Sequence, residues 1–136
     1  MITTDIQVRF SDVDRLQHIN NVVLQQYYDL GKVQYFKSVL SISNMCTDIT
    51  FIVVNTNTNY YEELFGDDKF HVTTRIIKVG TKSITLRQEI VDIPTQRVKG
   101  CSESVLVAFD LRERVSVEIP SDKRAMILAY EGGEIY

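Results

Sequence analysis

The hydrophobic and polar positions of this chain change their period along its length. Ile6, Val8 and Phe10 alternate with polar neighbours, the two-residue repeat of a short strand, and Ser11-Asp12-Val13-Asp14-Arg15 then breaks into a loop. From Val22 to about Leu40 the spacing becomes three and four, so Leu24, Tyr27, Tyr28, Gly31 and Tyr35 share one face of a helix. Asn20 and Asn21 precede it as N-caps, whose side-chain oxygens can accept from first-turn N–H groups. Gln25, Asp29 and Lys32 form a polar stripe, but Val22, Val33, Phe36 and Leu40 lie beside it, and a helix of this kind is covered on most sides. Gly31 costs about 1 kcal/mol against alanine in a helix interior. It is either merely tolerated or marks a close approach of a neighbouring strand or chain.

Beyond the helix the pattern is that of β-structure. Segments rich in Val, Ile, Thr, Phe and Tyr run at about Ile49 to Glu63, Phe70 to Val79, Ser83 to Asp92 and Val98 to Asp110. Turn signals separate them at Gly66-Asp67-Asp68, Gly80-Thr81 and Ile93-Pro94-Thr95, and such short connections imply antiparallel hairpins. Ser121, after Pro120, is placed to cap a last helix through about Tyr130, with Gly132-Gly133 ending it. One strand, one long apolar helix and a meander of four strands predict a single α+β domain over residues 1–136, the sheet wrapping the helix.

Composition narrows the function. The 136 residues are 44% hydrophobic, enough for one core and too short for a second domain. With 15 Lys and Arg against 18 Asp and Glu, the formal charge of −3 argues against nucleic acid as a partner. A local group of two or three cations would still serve a small polyanion. Cys46 and Cys101 lie outside any zinc or redox spacing and read as buried or idle thiols. The start lacks the basic and apolar segments of a secretory signal, and no run of about 18 apolar residues appears, so a reducing, cytoplasmic setting without a membrane span is expected. His18 and His71 are the only histidines, and no metal site is expected.

The stretch Val8-Arg9-Phe10-Ser11-Asp12-Val13-Asp14-Arg15-Leu16-Gln17-His18-Ile19-Asn20-Asn21 resembles the Ser-Asp-x-Asp-x-x-Gly-His-Val-Asn-Asn signature of the 4-hydroxybenzoyl-CoA thioesterase family of hotdog proteins. Tyr27-Tyr28-Asp29-Leu30-Gly31-Lys32-Val33-Gln34-Tyr35-Phe36 is similar to the start of that family's central helix, and Asn59-Tyr60-Tyr61, Lys78 to Ser83 and Ile119-Pro120 extend the resemblance over nearly the whole chain. The resemblance implies a hotdog fold, an antiparallel five-stranded sheet wrapped around a long central helix. It also implies a homodimer, or a tetramer of such dimers, with active sites between subunits. The reaction implied is hydrolysis of an acyl-CoA thioester, with acyl-ACP as a variant. No cofactor is implied, CoA being part of the substrate.

A carboxylate on a loop before a helix lies near outward-pointing, unpaired N–H groups. Asp14 is the candidate nucleophile or general base, two roles the sequence leaves open. The N–H groups of Asn21 or Val22 are candidate donors to the oxygen that gains charge in the transition state. Asp12, two residues away, is expected to point to the other side in a structural role. His18 is a candidate for orienting substrate or Asp14, against a purely structural role; Asn20 is a candidate substrate contact and Asn21 a candidate catalytic residue, against a role for both in no more than capping the helix. Gln17 stands where the family has Gly. Gln-His-x-Asn-Asn is also similar to acyl-carrier-protein thioesterases, although Leu16 replaces their Asn, and Gln17 would narrow the site or supply an amide donor. Lys78, Lys82 and Ser83 flank the Gly80 hairpin, which the resemblance places near the CoA phosphates; otherwise they are solvated turn residues. Tyr27, Tyr28 and Tyr35 are expected in the core, each gaining about 1.5–3 kcal/mol on burial. Two readings compete with hydrolysis. One is a noncatalytic acyl-thioester-binding module, and the other a dehydratase, whose His and helix-borne acid are not found.

Overall fold

The computed structural model describes residues 1–42 and 48–132; Cys46 and Gly133 lie outside them. The expected helix is α1, Asn21–Ser38, and its face of Leu24, Tyr27, Tyr28, Gly31 and Tyr35 is buried as the spacing required. Asn20 caps it, the side chain accepting from the Val22 N–H at 2.8 Å. Lys32 departs from the expected polar stripe. It is buried, and its Nζ reaches Asp29 at 3.2 Å, so the aliphatic stem is covered while the charge is paired at the rim.

Gly31 marks a close approach. A Cβ there would stand 2.8 Å from Thr74 Oγ1, 2.9 Å from Val72 Cγ1 and 3.0 Å from Gln88 Nε2, so α1 lies almost against the sheet. The strands are β1 (Ile2–Asp5), β2 (Ile49–Tyr60), β3 (Phe70–Val79), β4 (Ser83–Asp92) and β5 (Val98–Asp110), with a two-residue β6 (Val115–Ser116) beside β5. All described pairings are antiparallel, in the order β1-β3-β4-β5-β2. The sheet against a long helix is the hotdog architecture.

Three expectations are corrected. The first strand occupies Ile2–Asp5 rather than residues 6–10, because its ladder with β3 ends at Asp5↔His71, one pair short of where β3 begins. Ile6 and Val8 still pack on the core, but Phe10 is 97% exposed in a 3-10 turn, Phe10–Asp12. Apolar alternation tells which side is greasy, not whether a partner strand is there. The strands after α1 are not a simple meander. β3, β4 and β5 follow as hairpins, but β2 pairs with β5, from Ile49↔Asp110 to Tyr60↔Gly100, because residues 61–69 cross the end of the sheet instead of turning tightly. Ser121 is the first residue of the last helix, α2 (Ser121–Glu131), and Pro120 holds the cap position, its ring fixing an extended entry at φ −54°.

The core has two centres. Tyr35, Ile76, Leu86, Leu106 and Ile127 join α1, the sheet and α2, while Leu24, Tyr27, Tyr28, Phe70, Val72 and Ile90 join α1 to the end of the sheet that carries the loop before it. The three tyrosines are thus core residues, as expected. Cys101 is a free, buried thiol.

Candidate active site

The loop between β1 and α1 is built around Asp12. Burial pushes the Asp12 carboxyl up, but bonds from the Tyr27 hydroxyl and from the Arg9 N–H and guanidinium outweigh it and hold the group below the usual carboxylate range. Tyr27 Oη donates at 2.5 Å and the Arg9 backbone N–H at 2.9 Å. The Asp12 carbonyl accepts from the Asn20 N–H at 3.1 Å. One residue therefore ties both arms of the loop to α1, in the structural role expected of it.

Between those arms the chain doubles back. Val13 bridges Ile19, the Asp14 N–H reaches the His18 carbonyl at 2.9 Å, and the Gln17 N–H reaches the Asp14 carbonyl at 3.1 Å. Closing so tight a turn puts Gln17 at φ 64°, the left-handed region where glycine is at no disadvantage. This accounts physically for the glycine of the resembled signature. The Gln17 side chain faces a second groove with Phe10 and Phe65, not the Asp14 cleft.

Asp14 Oδ1 accepts from the Leu16 N–H at 2.8 Å and the His18 N–H at 3.1 Å. These bonds fix the carboxylate, and Oδ2 has no protein partner among the described residues. The cleft beside it, about 510 Å³, is lined by Asp14, His18, Asn20, Asn21 and Leu24 on one side and by Tyr60 through Leu64 on the other. The cap bond occupies the Val22 N–H, so of the two expected donors only the Asn21 N–H remains without a partner among the described residues. Val22 is 70% exposed and is not part of the cleft lining.

His18 meets Asp14 through its backbone. Its ring packs edge-on against Phe65, centroids 4.9 Å apart, with Nε2 3.7 Å from Glu63 Oε2. Lys78, Lys82 and Ser83 are not brought to the cleft within one chain. Ser83 pairs with Val107 and Tyr60 with Gly100, seven residues apart along β5 (107 − 100), or about 23 Å. The backbone of their hairpin is held elsewhere, the Arg124 guanidinium donating to the Gly80 carbonyl at 2.7 Å.

Sequence reasoning missed the far wall of the cleft, Tyr61 to Leu64. Extending the strand to Glu63 hid it, although Tyr60-Tyr61-Glu62-Glu63 ends the apolar alternation and was a usable signal. That wall is fixed to the Asp14 loop by the Ile19 N–H on the Leu64 carbonyl at 2.8 Å and by the His18–Phe65 bridge. Asp14, Glu62 and Glu63 make the cleft acidic, with Glu62 paired to the Arg97 guanidinium. A cleft of this charge favours the uncharged part of a ligand over phosphate. Among the described residues no group of three or more His, Cys, Asp or Glu is arranged to hold a metal ion, and no helix is long and apolar enough to cross a membrane.

The chain is 26% identical over 122 residues to the long-chain acyl-CoA thioesterase FadM of Escherichia coli (strain K12), covering 89% of this chain and 92% of that protein. Among solved structures it is similar to a thioesterase of Thermus thermophilus in complex with coenzyme A and Zn, with 25% identity, a TM-score of 0.81, and coverage of 96% of this chain and 93% of that one. The PA5185 protein of Pseudomonas aeruginosa strain PAO1 shares the fold with a TM-score of 0.86 at 19% identity, over 95% of this chain and 90% of its own. Residues 8–127, which include the Asp14 loop, α1 and all of β2 to β6, match the thioesterase-like superfamily, and the chain belongs to that family.

Proposed function

We propose that this chain hydrolyses an acyl-CoA thioester to the free acid and CoA. The observation that carries the reading is a fixed carboxylate with one unpartnered oxygen, Asp14 Oδ2, in the same cleft as the uncapped N–H of Asn21 at the start of α1. Membership in the thioesterase-like superfamily and the similarity to FadM support the substrate class. Asp14 either attacks the carbonyl carbon, giving an anhydride that water then opens, or takes a proton from the attacking water. In both routes the C–S bond breaks, CoA leaves as thiol and the acid gains one oxygen that water ultimately supplies. The Asn21 N–H and the N-terminal dipole of α1 stabilise the carbonyl oxygen as it becomes negative.

In this reading CoA's phosphates lie outside the cleft, whose Asp14, Glu62 and Glu63 would repel them. β2 is an edge strand that exposes Val53 and Val54, and a homodimer along it would cover them. A two-fold axis makes such a pairing antiparallel, which sets the Ser83 end of one subunit beside the Tyr60 end of the other. In that arrangement Lys78, Lys82 and Ser83 serve the phosphates of the neighbouring site.

Thiol release over a panel of acyl-CoA and acyl-ACP substrates tests the reading. Release from acyl-CoA supports it. Tight binding with no release from any member would replace it with the noncatalytic module, and release from acyl-ACP alone would reassign the carrier. Label in the Asp14 carboxyl after a single turnover in 18O-water would identify nucleophilic attack followed by water opening the anhydride at Asp14, since the general-base route never puts water's oxygen there. Sedimentation as a monomer at micromolar concentration would remove the shared site.

A further inference from the structure

The helix-facing side of the sheet carries polar residues between its two apolar centres, where an uninterrupted core would be apolar. Ladder partners share a face, so Thr74, Gln88, Ser102 and Thr58, paired in succession across β3, β4, β5 and β2, form one row. Gln88 Nε2 donates to the Tyr28 carbonyl at 2.7 Å and to Thr74 Oγ1 at 3.0 Å, which turns the row toward α1. Thr58 and Ser102 hydroxyls pair at 3.1 Å, and Thr56 and Ser104 in the next row pair at 3.3 Å. α1 packs chiefly over β3 and β1, so the β2 end of these rows is left open and Thr56 is exposed.

Two buried atoms here have no protein hydrogen-bond partner among the described residues: Tyr28 Oη and Gln88 Oε1. Tyr28 is 1% exposed, and its Oη lies 3.0 Å from where a Cβ would stand at Gly100, the ladder partner of Tyr60. Burial pushes this phenol up, so the hydroxyl stays protonated and able to donate. Leu24, one helical turn before Tyr28, and Tyr60, across the ladder from the Gly100 that the hydroxyl approaches, both line the Asp14 cleft. Tyr60 is 51% exposed and makes no side-chain hydrogen bond among the described residues, so no such bond holds its side chain in place.

We propose that the Tyr28 hydroxyl, with Gln88 Oε1 and the adjoining Thr58–Ser102 pair, is an acyl-recognition subsite that selects acyl groups bearing a hydroxyl or oxo substituent over unsubstituted alkyl chains. The inference rests on the acyl-thioester reading of the Asp14 cleft and names the acyl class within it. A buried hydroxyl without a partner is costly, and a site built to hydrogen-bond a substrate oxygen discriminates against the analogue that lacks it. Turning Tyr60 aside would open the path from the cleft to Tyr28 Oη, which donates to the substituent, while Gln88 Oε1 accepts from it when it is a hydroxyl.

The test is calorimetric titration of the full chain with non-hydrolysable thioether analogues of acyl-CoA. They are supplied as matched pairs of equal chain length, with and without a hydroxyl or oxo group at successive positions. The expected result is a preference of about tenfold or more for at least one substituted member, the worth of one good hydrogen bond. Tyr28→Phe should reduce that ratio to within about twofold with an unchanged or raised melting temperature, because the variant removes an unpartnered polar atom. Equal affinities for every pair would overturn the proposal, as would a Tyr28→Phe protein that keeps the preference; the hydroxyl would then be satisfied by solvent. Failure to bind any analogue would overturn this proposal and the acyl-CoA reading together. Selective thioether binding without thiol release from the matching thioesters would count against hydrolysis and leave the subsite standing.

Discussion

Tyr27 Oη donates to Asp12 Oδ2 at 2.5 Å, joining the second turn of α1 to the loop that presents Asp14. Asp12 is 1% exposed, and its carboxyl stays below its ordinary value of 3.8 because the bonds it accepts outweigh the cost of burial. A carboxyl lowered by folding binds its proton more weakly than in the unfolded chain. The stability it contributes is therefore complete above the ordinary value and is lost as the pH falls through the lower folded value. Tyr27→Phe should cost about 1.5–3 kcal/mol at neutral pH, the range for a bond to a charged group, and should make the acid loss shallower. Urea unfolding at pH 7 and pH 3 checks both, and equal stability of variant and wild type at both pH values would remove Asp12 as the loop's anchor.

Asp14→Asn keeps an oxygen able to accept from the Leu16 and His18 N–H groups, so the loop should hold and the melting temperature should stay within a few degrees. Losing the nucleophile or base should lower thiol release by about a hundred- to ten-thousand-fold, or about 3–5 kcal/mol of transition-state stabilisation. Matched release assays and melting curves read the two effects separately. Wild-type turnover in the variant would unseat Asp14.

Gln17 adopts φ 64° without the freedom of glycine. Gln17→Gly should relieve the left-handed strain and lose part of the gain to unfolded-state entropy, for a net stabilisation of about 0.5–1 kcal/mol. Thermal melting should show a rise of about 2–4 °C. A fall would mean that Gln17 contributes packing in the groove with Phe10 and Phe65 that outweighs its backbone strain.

Gly31→Ala improves helix propensity by about 1 kcal/mol and should nonetheless destabilise the protein. Its Cβ would meet Thr74 Oγ1 at 2.8 Å and Val72 Cγ1 at 2.9 Å, both on residues fully buried in the sheet. Overpacking of this kind costs about 1–3 kcal/mol, and the lower melting temperature should come with reduced activity, since α1 carries Asn21. An alanine variant as stable as wild type would show that α1 can lift from β3 at little cost.

If Lys78 and Lys82 hold the CoA phosphates as proposed, the doubled variant Lys78→Ala with Lys82→Ala should raise KM several-fold and weaken the salt dependence of kcat/KM, because two cations that attract the phosphates are lost. An unchanged KM would place the phosphates elsewhere.

The helix-facing residues of α1 were legible from spacing because burial of Leu24, Tyr27, Tyr28, Gly31 and Tyr35 needs only a local period. The strands after it were legible from composition and turn residues, and the loop before the helix from its polar run, since a tight loop is a local structure; Asp14 was singled out within that loop by the resemblance of its motif. Which strands are neighbours was not local. β2 lies beside β5 and not β3 because a ladder needs a partner at the right height, and that is settled only when the whole sheet assembles. The same holds for the cleft: Tyr60 through Leu64 become its far wall because residues 61–69 cross the sheet end and dock on Ile19 and His18. Tertiary packing also decided that Val22 has its N–H spent on the Asn20 cap, that Lys82 lies far from Asp14 within one chain, and that the Tyr28 hydroxyl is buried without a protein partner among the described residues. Each is a matter of which groups meet across many residues of chain, and periodicity carries no record of that.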